Sequence, residues 1–104
     1  GEHAAPHAGA LAALLKHEDW RNRMYALEAL GAMGEHAAPH VGAVVARLEH
    51  EEEGVRRAAM VALGKLGEHA APYAGAVAAR LEHKVEGVRR AAVDALEALG
   101  EHAA

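Results

Sequence analysis

The chain has no cysteine, no phenylalanine, and neither serine nor threonine. Without Cys there are no disulfides and no thiolate metal ligands, a composition that suits a reducing interior. Without Ser, Thr or Cys, covalent catalysis through an aliphatic hydroxyl or a thiol is excluded. Aromatic residues amount to 3% although 52% of the chain is hydrophobic, so Ala, Leu and Val must supply the core. Such side chains let helices approach closely. Each buried Leu or Val contributes only about 1.5–3 kcal/mol, so the contacts have to be numerous. Strand formers are too sparse for a sheet. No apolar run nears the roughly 18 residues of a membrane span and no charged-then-apolar leader opens the chain, so no membrane partner is expected. The 104 residues leave room for one domain, 1–104, around one continuous core.

What is present is repetition. Gly-Glu-His-Ala-Ala recurs at Gly1, Gly34, Gly67 and Gly100, a spacing of 33 residues each time. The chain therefore divides into repeats 1–33, 34–66 and 67–99 with a stub at 100–104. Repeats 2 and 3 agree at 24 of 33 positions and repeat 1 is the outlier. Recent duplication and consensus design both give such identity, and both predict the same stacking. The opening at Gly1, without Met and on a repeat boundary, is what a trimmed piece, a processed fragment or a designed protein would show.

Within a repeat, Pro6, Pro39 and Pro72 sit where a missing amide is harmless, in the first turn of a helix. In repeat 2, Val41, Val44, Val45 and Leu48 form one helical stripe; Val55, Ala58, Ala59, Ala62, Leu63 and Leu66 form a second after Gly54. Gly67 reads as a left-handed residue closing the second helix. One hairpin cannot bury both stripes, whereas stacked hairpins can, and three repeats are near the minimum.

The run Gly54-Val55-Arg56-Arg57-Ala58-Ala59, followed by Ala62-Leu63-Gly64-Lys65-Leu66-Gly67 and recurring over Gly87–Leu99, resembles the second helix of HEAT-type repeats. The likeness is to short HEAT-like repeats of the phycobilisome-lyase type and to artificial consensus HEAT-like scaffolds, and it spans the whole chain. It implies an all-α fold, a right-handed alpha-alpha superhelix of three antiparallel hairpins. A period of 33 also suits ankyrin, but no Thr-Pro-Leu-His entry motif occurs. The family usually places an Asp in the inter-helix turn to anchor an arginine ladder. Here His17, His50 and His83 hold that place, Asp19 and Glu52 keep a second acidic position, and Val85 does not, which implies a weaker ladder in repeat 3.

The resemblance further implies that second helices line a concave face where partners dock. Its outward positions are Trp20, Arg21, Met24, Tyr25 and Glu28 in repeat 1, Arg57, Val61 and Lys65 in repeat 2, and Arg90, Asp94 and Ala98 in repeat 3. Trp, Tyr, Arg and Met together are the residue types enriched at binding hot spots, so the expected function is a non-catalytic scaffold binding a protein or peptide. Trp20 and Tyr25 have a rival role, sealing the end of the solenoid, where Asn22 replaces Val55 and Leu14 replaces Arg47. A designed consensus repeat without a natural ligand is a further alternative.

Nine histidines raise the question of metal. His3 and His7, and His36 and His40, have the i, i+4 spacing of a helical ligand pair. Pro39 separates the second pair at a helix start, and no metal or cofactor is expected. His17, His50 and His83 end the first helices, where a protonated imidazole would complement the helix dipole. Deoxyhypusine hydroxylase offers a HEAT-like metalloenzyme alternative through His-Glu pairs. His17-Glu18 and His50-Glu51 fall in turns, however, and repeat 3 reads His83-Lys84. Arg56-Arg57 and Arg89-Arg90 suggest nucleic acid, but 11 basic against 15 acidic residues argue against it. The stripes Ala8, Leu11, Ala12, Leu15 and Val88, Ala92, Ala95, Leu96, Leu99 are expected to lie open at the two ends. Such surfaces would favour a homodimer or end-to-end self-association.

Overall fold

The computed structural model describes residues 4–49 and 52–103, with side chains described over 6–49 and 52–100. Six α-helices form three hairpins, and no strand occurs among the described residues. Helices α1 (Ala4–Leu14) and α2 (Trp20–Ala32) make the first hairpin, α3 (Val41–Ala46) and α4 (Glu53–Leu66) the second, α5 (Ala74–Ala79) and α6 (Glu86–Ala103) the third. The second helices stack side by side, with α4 packed against α2 on one flank and α6 on the other. The first helices form the other layer, giving a slab of 39 × 35 × 15 Å.

Both stripes of repeat 2 are buried as their spacing predicts. The largest fully buried side chains are all Leu and Val, with alanines filling in between them, and no polar or charged residue is buried among those described. Gly34 and Gly67 have φ of +55° and +51°, the region open to glycine, and each turns the chain out of a second helix into the next repeat. For Gly67 the ψ of −119° differs from the left-handed helical value. The prolines begin no full-length α-helix in repeats 2 and 3. Pro39 lies in a 3₁₀ stretch, Gly34–His40, and Pro72 in another, Ala71–Tyr73. His40 and Tyr73, with ψ near 6°, break the path before α3 and α5 start.

The stripes expected to lie open at the ends are closed. Ala8, Leu11 and Leu15 are buried and Ala12 is half-buried, because α2 and the 34–40 stretch cover α1. Val88, Ala92, Ala95 and Leu99 are likewise buried and Leu96 half-buried, with α4 and α5 against α6. Helix α6 runs through Gly100 and turns residues 100–103 into a helical extension, where Gly34 and Gly67 end their helices.

Candidate partner-binding face

Three positions per second helix, four residues apart, share one face. They are Trp20, Met24 and Glu28 on α2, Glu53, Arg57 and Val61 on α4, and Glu86, Arg90 and Asp94 on α6, each row offset by the 33-residue repeat. Two hollows open along this face. One, of about 420 Å³, lies between α2 and α4 and is lined by Met24, Glu28, Glu53, Gly54, Arg57, Ala58 and Val61. The other, of about 400 Å³, lies between α4 and α6 and is lined by Glu53, Arg56, Arg57, Met60, Glu86, Gly87, Arg90, Ala91 and Asp94. Glu53 and Arg57 border both.

Of the expected surface residues, Met24, Glu28, Arg57 and Val61 meet in the first hollow, and Arg57, Arg90 and Asp94 in the second. Trp20 is 42% exposed at the start of α2 but lines neither. Arg21 and Tyr25 line neither hollow, because α2 has no preceding second helix among the described residues. They occupy the positions of Gly54 and Ala58 in repeat 2, and of Gly87 and Ala91 in repeat 3, which turn toward the preceding second helix. Tyr25 is 57% exposed there. Ala98 is not outward either, for its methyl lies against Gly64, while Lys65 is exposed. The sequence reading missed Glu53 and Glu86, whose signal was the same four-residue spacing that picks out Arg57 and Val61.

The face is held at its edge by the inter-helix turns. The His17 Nδ1 accepts the Asp19 backbone N–H at 3.0 Å, and the His83 Nδ1 accepts that of Val85 at 3.1 Å. An acceptor at Nδ1 requires that nitrogen to carry no proton, so this contact and a doubly protonated imidazole exclude one another. Arg23 donates from Nη1 to the His17 carbonyl, and Arg89 from Nη1 to the His83 carbonyl at 2.7 Å. The ladder therefore persists in repeat 3 despite Val85, because its acceptor is backbone. His50 and Glu51 lie outside the described residues.

Asp19 caps α2, accepting the Arg21 N–H at 2.9 Å and a two-pronged contact from the guanidinium at 3.2 and 3.1 Å. The side-chain hydrogen bond from Arg21 and then its backbone N–H hold the Asp19 carboxyl below its ordinary value. Between repeats 2 and 3, Glu49 binds Arg80 at 3.0 Å and approaches the His83 Nε2 at 3.5 Å. The corresponding residue one repeat earlier is Lys16, and Arg47 turns instead to the Leu15 carbonyl at 3.1 Å.

On the metal question, His36 and His40 both fall in the 3₁₀ stretch, where about three residues per turn rotates an i, i+4 pair apart. His3 lies outside the described residues. No cluster of three or more His or acidic side chains able to hold a metal forms among the described residues.

Stacked two-helix units of one period, with second helices flanking one another, define an αα solenoid of tandem repeats. The family model described as HEAT repeats matches residues 8–74, and the chain belongs to that family. HEAT repeats commonly serve as protein-interaction scaffolds and are generally non-catalytic. The search of curated proteins returned no match. No helix among the described residues is long and apolar enough to cross a membrane.

Proposed function

We propose that the chain binds a protein or peptide segment along the face of α2, α4 and α6. The observation that carries this reading is the pair of adjoining hollows joined at Glu53 and Arg57. The Met24–Ala58–Val61 hollow takes a large apolar side chain. The second takes a carboxylate, drawn by Arg57 and Arg90. Those two arginines now make exposed i, i+4 pairs with Glu53 at 3.5 Å and Glu86 at 3.9 Å. Such pairs contribute little, so a partner's carboxylate can replace them at small cost. Trp20, Arg21 and Tyr25 extend the face at its repeat 1 edge, and Trp20 closes over the bound segment.

Panning the intact chain against a random peptide library tests this. Enriched peptides should pair a large apolar residue with an acidic one. Val61→Glu and Arg57→Glu should each weaken a selected peptide tenfold or more, about 1.4 kcal/mol. Selected peptides that bind both variants as tightly as the parent would sink the reading.

A further inference from the structure

The two hollows are one feature met twice. Glu53, Gly54, Arg57, Ala58 and Val61 line the first, and their counterparts 33 residues on, Glu86, Gly87, Arg90, Ala91 and Asp94, line the second. The step from hollow to hollow is therefore the step from one second helix to the next. Packed helices stand about 8–10 Å apart. Small residues draw these toward the short end of that range, since a Cβ on Gly31 would lie 3.1 Å from the Ala62 Cα and one on Gly64 3.2 Å from the Ala98 Cβ. A segment that fills both hollows must present two side chains on one side of its backbone at that spacing.

Few backbone conformations do so. A β-strand sets same-side residues about 6.6 Å apart, and the next such pair about 13 Å apart. Strand ligands also dock by pairing with a sheet edge, and no strand occurs among the described residues. An α-helix aligns side chains about 6 Å apart at i, i+4 and about 10.5 Å apart at i, i+7. Polyproline II has three residues per turn and a rise of about 3.1 Å, so every third side chain points the same way about 9.3 Å further on. Its backbone needs no hydrogen bonds from the sides of helices. Resting on the peptide-binding reading of this face, we propose that the ligand is a polyproline II segment. A large apolar residue enters the α2–α4 hollow, and an acidic residue three positions away enters the α4–α6 hollow. The two intervening residues pass over Glu53 and Arg57, which border both hollows. Their side chains turn away from the face, so both can be proline. The hollows set the spacing and leave the chain direction open.

Synthetic peptides carrying one Leu and one Glu, in either order and separated by zero to seven alanines, test this against the intact chain. Binding is read from the amide shifts of α2, α4 and α6 in an NMR titration. Affinity should peak at two intervening residues, about tenfold above the peptides with one or six. Replacing both intervening alanines by proline should preserve or tighten binding, because proline holds the segment in the bound conformation. A peak at one intervening residue, as a strand gives, or at six, as a helix gives, would overturn the proposal and leave the face a peptide site. So would affinity independent of spacing, or loss of binding on proline replacement. If no peptide of any spacing shifts those amides, the proposal and the reading beneath it both fall.

Discussion

At positions 17 and 83 an imidazole takes the place of the short acidic side chain that usually accepts a backbone N–H in such a turn. The hydrogen bonds at 3.0 and 3.1 Å are local and easily tested. Replacing His83 by Ala should cost about 1 kcal/mol, as an unreplaced turn or cap acceptor does, whereas His83→Asp should cost far less. Urea denaturation of the three proteins checks this, and equal losses for Ala and Asp would refute the acceptor role. Asp19 gives a pH dependence. Its folded-state pKa lies below that in the unfolded chain, so its contribution is full above the ordinary carboxylate range and is lost as pH falls through the depressed folded value. Stability measured on the acid side should drop less steeply in Asp19→Asn than in the parent. The sequence shows that His stands where Asp is usual, but a letter does not show which ring nitrogen faces the chain. That orientation is what makes the ring an acceptor for the turn.

At the scale of the element, position in the stack decides what a side chain is worth. Leu63 and Leu96 are the same residue of successive repeats, one fully buried in the middle and one half-buried on α6. Leu63→Ala should cost about 2–5 kcal/mol through lost burial and a trapped cavity. Leu96→Ala should cost less than half of that, and equal costs in chemical denaturation would contradict the structure. The second helices were legible because a 14-residue stripe with i, i+3, i+4 spacing overrides local detail. The first helices were less so. Six α-helical residues between 3₁₀ turns leave too short a pattern to fix their boundaries. Nor did the stripes of α1 and α6 reveal their cover, since a stripe states that it must be buried but not by which neighbour.

For the whole molecule, each hairpin touches only its neighbours, so stability is a sum of repeat and interface contributions. Helix α4 is the one second helix flanked on both sides. Its amide protons should therefore exchange more slowly than those of α2 and α6, and hydrogen exchange read helix by helix would expose any other order. The period and fold were open to sequence reading at this scale because 33-residue self-similarity needs no geometry. The face was partly open: Met24, Glu28, Arg57, Val61, Arg90 and Asp94 converge as the repeat arithmetic implies. Tyr25 and Arg21 line no hollow, because their counterparts Ala58 and Gly54 face the preceding second helix and α2 has no such neighbour among the described residues.

A core built without aromatic rings also decides how this protein can be watched. Its single indole, Trp20, is already half in water in the folded chain, so unfolding changes the solvent around it only modestly. Intrinsic fluorescence will thus follow denaturation poorly, and helical ellipticity is the signal to use. The same indole sits at the rim of the grooved face. A peptide laid there would shield it and shift its emission to shorter wavelength, giving an occupancy signal with no label attached and little background from folding.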